Sequence, residues 1–182
     1  MKILLILLLI PSIIYGGVYF DGTDDYVNFG DILDFGTAPF SVNMWIKPAT
    51  VQNDYANIID KDHTGSKGWC FEYDIATDKV YFFFGTAGGN TGTTPITTTG
   101  LKDNAWHLLT GTYGGTEIKI YVDGVLENTR AWTYGSSNSG NLLIGKWNTA
   151  AGREFTGVID EVQIYNITVS STQVYNYWDT TK

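Results

Sequence analysis

Basic residues are scarce in this sequence, with 11 lysines and arginines against 19 aspartates and glutamates and a formal net charge of −8. Nucleic acid needs a basic footprint and so does simple adsorption to anionic lipid, so the charge balance speaks against both. Cysteine occurs once, at Cys70. That excludes an internal disulfide, and a lone thiol in a strand-rich segment reads as a small buried apolar group. There are two histidines, His63 in the polar loop DKDHTGSKG and His107 beside a strand, and their spacing is not that of metal ligands, which argues against zinc. No Ser-His-Asp arrangement is supported, and His107 reads as structural. No apolar run is long enough to span a bilayer: the longest, Ile3 to Ile14, contains Pro11, and a spanning helix needs about 20 residues.

That run follows Met1-Lys2 and precedes the small residues Gly16-Gly17, the order of a secretory signal peptide. Residues 1–16 are therefore expected to be removed on export, leaving residues 17–182 as one secreted domain. Without cleavage, the same segment would tether it to a membrane. The remainder is long enough for one well-cored domain and short for two.

What the chain does have is glycine, aromatic residues and short strand-like runs. The runs fall at 18–21, 25–29, 40–47, 56–61, 68–74, 79–84, 106–113, 117–122, 125–131, 141–146 and 155–165, with nothing like a βαβ alternation. This pattern predicts an all-β, two-sheet antiparallel sandwich. The segment WHLLTGTYGGTEIKIYVDG, Trp106 to Gly124, reads as a β-meander turning at Gly114-Gly115 and Asp123-Gly124. Ile118, Ile120 and Val122 share one face, as do Leu109, Gly111 and Tyr113; Phe40, Val42, Met44 and Ile46 oppose Ser41, Asn43, Trp45 and Lys47. Val80, Phe82 and Phe84 alternate with Tyr81 and Phe83, so that strand is covered on both faces or binds something with its outer one. The Gly/Thr-rich 85–100 carries no evident chemistry, and 135–140 (GSSNSG) is a loop. Ser170 to Gln173 has capping-box spacing and predicts one short helical turn.

These motifs resemble the laminin-G-like modules of the concanavalin A-like lectin and glucanase superfamily, whose central signature reads Trp-His-x-Val-Ala-Gly-Thr-Tyr, a turn, then a strand ending Tyr-Val-Asp-Gly. WHLLTGTY and IYVDG stand in its place, and FDGTDDYVNFG (20–30), FSVNMWIKP (40–48), LLIGK (142–146) and FTGVIDEVQIYN (155–166) match further pieces in order. The resemblance covers nearly all of residues 17–182 and implies a jelly-roll sandwich, but a fold of such varied activity does not fix function. It also implies a structural calcium tying the N-terminal region to a late strand, with Asp160 in the matching position and Asp21 as a plausible second ligand. Asp-Gly is equally an ordinary turn pair, and Asp160 could accept backbone hydrogen bonds unaided.

Glycan or a cell-surface glycoprotein is the partner the resemblance implies. A sugar wants an exposed aromatic beside polar groups, and Trp132, Tyr134, Trp147 and Asn148 have that makeup, whereas Trp45, Trp69 and Trp106 read as core and Trp178 as a seal at the C-terminus. Loop packing is the plain alternative for the first three. Glucanases of the superfamily carry Glu-x-Asp-x-x-Glu on one strand; here Glu72 and Asp74 are followed by Thr77 in the third position, and Thr cannot serve as proton donor. The sequence thus favours a secreted, noncatalytic, adhesion-type binding module, with two rivals: a structural or protein-binding component of a coat or appendage, and a hydrolase using Glu72 and Asp74. Asn166-Ile167-Thr168 is a glycosylation sequon.

Overall fold

Residues that alternate in the sequence separate onto two faces in the computed structural model, which describes residues 3–6, 16–63, 68–85, 97–133, 139–148 and 151–182. The strands are β1 (Ile3–Ile6), β2 (Val18–Asp21), β3 (Val27–Asn28), β4 (Phe40–Pro48), β5 (Ala56–Lys61), β6 (Trp69–Asp74), β7 (Lys79–Phe84), β8 (His107–Tyr113), β9 (Glu117–Val122), β10 (Val125–Ala131), β11 (Leu142–Ile144) and β12 (Thr156–Tyr165), followed by helix α1 (Ser171–Thr181). One sheet runs β1-β12-β4-β8-β9-β10, with β2 also on β12; the other runs β3-β11-β5-β6-β7. All pairings between these strands are antiparallel. Along β12, β2 lies opposite Thr156–Ile159 and β1 opposite Gln163–Tyr165.

The core forms where the sheets face each other. Phe40, Val42, Met44, Ile46, Leu109, Tyr113, Ile118, Ile120 and Val122 come from one sheet, and Trp69, Phe71, Tyr73, Val80, Phe82 and Phe84 from the other. Phe71 and Phe82 stack with centroids 4.4 Å apart, and Phe84 meets Phe82 edge-on at 4.8 Å. Gly111 is required by this stack. A β-carbon there would strike the tip of Phe71 and come within 2.7 Å of Phe82. Gly111→Ala is expected to cost about 1–3 kcal/mol by overpacking, read as a lower urea midpoint with unchanged slope.

The meander closes as the sequence predicts, with Asp123 (φ 51°) and Gly124 (φ 79°) both in the positive-φ region that a tight hairpin turn demands. Beside it His107 is held at both nitrogens: Nδ1 lies 2.8 Å from Asp123 and Nε2 3.2 Å from Asp103. The hydrogen bond to Asp123 raises the His107 pKa above its ordinary value, against the opposing effect of burial. A raised imidazole pKa adds stability that is complete below the ordinary value, about 6.5, and is lost as pH rises through the folded-state value. Unfolding midpoints are therefore expected to fall across that window, and His107→Gln is expected to flatten the profile.

The outer face of the larger sheet receives α1. Ser170 caps it and Gln173 closes the capping box, as the sequence predicts, but the helix runs 11 residues rather than a single turn. Its length follows from tertiary support: Val174 packs with Tyr121, Tyr165 and Val169. Tyr121 OH lies 3.0 Å from Ser171 Oγ, Gln163 Nε2 donates to Tyr177 OH at 2.9 Å, and that hydroxyl donates to Glu161 at 2.8 Å.

Candidate functional site

On β4, Trp45 points away from the core and faces Asp160 of β12 in register. Trp106 precedes β8 on the same outer side, and α1 brings Trp178 over them, enclosing an open cavity of about 630 Å³. Its walls carry Trp45, Trp106, Trp178, Asp123, Asp160 and Glu161. Trp106 is 41% exposed and Trp45 8%. The sequence reading of Trp106 as core is thus corrected, whereas Trp45 is buried as expected, though on the outer face of its sheet, which α1 covers in part. Only Trp69 of that trio is in the core. Trp178 lines the cavity rather than sealing the core, and the Lys182 ammonium lies 4.2 Å from the centre of its ring.

Local chemistry fixes the acidic groups. Leu108 N–H donates to Asp123 at 2.9 Å, and Glu161 N–H to Asp160 at 2.8 Å. Glu161 has φ 47° in the irregularity between Asp160 and Gln163, which re-aims both carboxylates. Burial, reinforced by Glu161, pushes the Tyr177 phenol well above its ordinary pKa, so it stays a donor to that carboxylate. Gly124 lets the helix come close, since a β-carbon there would lie 3.2 Å from Tyr175 Cα and 3.3 Å from Trp178. Apolar indole faces beside carboxylate acceptors match the two surfaces of a sugar ring, its C–H face and its hydroxyl rim.

The predicted rim site is distributed differently. Trp132 packs against the core, and Tyr134 lies outside the described residues. Trp147 and Asn148 sit together, but over the outer face of the smaller sheet. Trp147 stacks on His63 at 5.4 Å and carries the Arg153 guanidinium at 4.4 Å, while Asn148 N–H donates to Asp60 at 3.3 Å. Beneath them are Asp60, Cys70 and Glu72, all buried. His63 Nδ1 hydrogen-bonds Asp60, and its Nε2 is 3.8 Å from Glu72, which Arg153 approaches at 3.5 Å. Burial raises the Glu72 pKa, opposed by His63 and Arg153, and burial followed by repulsion from Glu72 and Asp60 pushes the Cys70 thiol well up. His63 is thus buried beside these groups, and Cys70 is buried as the sequence predicts, with Asp60 opposite it on β5 and Phe83 opposite it on β7. The hairpin register, with Asp60 opposite Cys70, was the signal that could have joined them.

Glu72 and Asp74 do share one face of β6, opposite Phe71 and Tyr73. Asp74, however, accepts from Ala76 N–H and Thr77 Oγ1, both at 2.9 Å, and from Tyr81 OH at 3.4 Å, the work of a strand-to-turn cap. Asp78 takes the core side, bound by Tyr73 OH and, at 3.0 Å, by Lys102 N–H.

Asp21 and Asp160 do not fit one calcium ion. Asp21 pairs with Thr156, four residues from Asp160, or about 13 Å of strand. Asp21 instead gathers with Asp24 and Asp25, where its carboxylate accepts from Thr23 N–H at 2.7 Å and its own N–H donates to Asp25 at 3.0 Å.

Comparison with known proteins bears on this geometry. A family model described as concanavalin A-like lectin/glucanases superfamily matches residues 21–175. No match was found among the sequences of curated proteins. Among solved structures, the binding domain of Paraclostridial Mosquitocidal Protein 1 is similar over 91% of this chain and 46% of its own (15% identity, TM-score 0.66). The receptor binding domain of botulinum neurotoxin D is similar over 88% and 43% (14%, 0.65). This chain thus spans less than half the length of either. Domain 4 of an extracellular arabinanase from Geobacillus stearothermophilus, solved with arabinotriose, is similar over 87% and 74% (15%, 0.62). At such identities the likeness is one of fold. The sequence motifs, the paired antiparallel sheets and the match over 21–175 converge on one conclusion: the chain belongs to the concanavalin A-like lectin/glucanase superfamily.

Proposed function

We propose that this chain is a noncatalytic carbohydrate-binding module, exported after loss of residues 1–16, and with them β1 and the Gly16 edge of the cavity, that takes a neutral sugar, free or on a surface glycoprotein, in the cavity between α1 and the larger sheet. The observation that carries it is the convergence of Trp45, Trp106 and Trp178 with Asp123, Asp160 and Glu161 on one open cavity. Indole faces stack the sugar ring while fixed carboxylates accept its hydroxyls, and the pinned helix limits the ordering needed on binding. Two similar structures are the binding domain of a mosquitocidal protein and the receptor binding domain of a botulinum neurotoxin, and a third was solved with arabinotriose, which supports recognition over turnover. The burial of Glu72 and the capping work of Asp74 favour the same reading over hydrolysis. A glycan array that includes arabino-oligosaccharides, run with and without a calcium chelator, tests it. Binding to a defined neutral glycan, reduced by Trp106→Ala, is expected; no binding to any glycan would overturn the proposal.

A further inference from the structure

On the opposite side of the sandwich from the sugar cavity, the sequence-scarce metal-binding residue types meet. Asp60, His63 and Cys70 each offer a ligand atom, and these atoms all lie within 4.8 Å of one another. Glu72 is a neighbour, 3.8 Å from His63 Nε2. From this juxtaposition we infer that Asp60, His63 and Cys70 form a site for a borderline-soft divalent cation of the zinc class, with Glu72 beside the other imidazole nitrogen as an outer partner.

The donor set carries the assignment. Thiolate, imidazole and carboxylate together suit zinc, whereas calcium and magnesium take all-oxygen shells. Charge points the same way. Two carboxylates are buried here against His63 and the partly exposed Arg153, so a divalent cation would be held by opposite charge as well as by its donor atoms. Asn57, opposite Glu72 in register, has a buried carbonyl oxygen with no hydrogen-bond partner among the described residues. Trp147 and Phe83 close against His63, at 5.4 and 5.2 Å between ring centroids, and so shut the site from water as structural zinc sites are shut. The metal would then clasp the two strands of the β5–β6 hairpin to each other beneath Trp147. The competing arrangement is metal-free, with His63 hydrogen-bonded to Asp60, which leaves Cys70 without a role.

Cobalt(II) separates the two. Titrated into the reduced, metal-stripped full chain, it should give a thiolate-to-cobalt charge-transfer band with the intense visible bands of tetrahedral coordination, displaced by zinc. Because Cys70 is the one cysteine, the band assigns the ligand in the unmodified protein, and cobalt held elsewhere, as at Asp21, Asp24 and Asp25, would not produce it. Cys70→Ser should abolish the band and His63→Gln should weaken zinc binding at least tenfold, with far-ultraviolet dichroism unchanged. No charge-transfer band at saturating cobalt, or zinc affinity unaltered in both variants, would overturn the site. Neither result bears on the sugar cavity.

Discussion

Trp178→Ala is expected to weaken sugar affinity about 30-fold, the equivalent of about 2 kcal/mol for a desolvated aromatic anchor. Calorimetric titration with the best glycan from the array reads it directly. Trp178 contributes one wall of the cavity from α1, so the substitution removes a stacking face and leaves the strands untouched. Trp106→Ala should cost a similar factor, since its exposed ring is already poised for contact. Trp147→Ala should leave affinity within about twofold, because its ring is engaged by His63 and Arg153 on the other sheet and sites without shared partners behave independently.

Phe82→Ala is expected to have the largest effect on stability. Phe82 sits at the centre of the aromatic core, stacked on Phe71 at 4.4 Å and within 6.3 Å, centroid to centroid, of Phe40, Trp69 and Phe84. Large-to-small substitution at such a site costs about 3–5 kcal/mol, a large part of the about 5–15 kcal/mol that holds a domain together. Urea denaturation should show a midpoint far below that of the parent. Tyr81→Ala, one residue away on the opposite face of β7, should cost less than half as much, since Tyr81 is only partly buried.

Much of this was legible in the sequence because strand alternation is a strict period. The rows Ile118/Ile120/Val122 and Phe40/Val42/Met44/Ile46 face the core as they read, and the capping box marks the start of α1. Alternation also says that Trp45 opposes Ile46. It cannot say whether the outer face is bare, covered or half covered, which depends on where an 11-residue helix comes to rest. The cavity beside α1 is not legible in the sequence for that reason. The Asp60, His63 and Cys70 cluster was missed because two histidines without regular spacing look inert until a hairpin register brings residue 60 opposite residue 70. The separation of Asp21 from Asp160 is likewise a matter of register between β2 and β12, invisible to motif matching.

Six tryptophans give six indole N–H resonances, which makes the location of the ligand directly readable. In an NMR titration with the bound glycan, the account predicts that the Trp45, Trp106 and Trp178 signals move together while those of Trp69, Trp132 and Trp147 stay in place. Movement of Trp132 or Trp147 with the other three unmoved would contradict it.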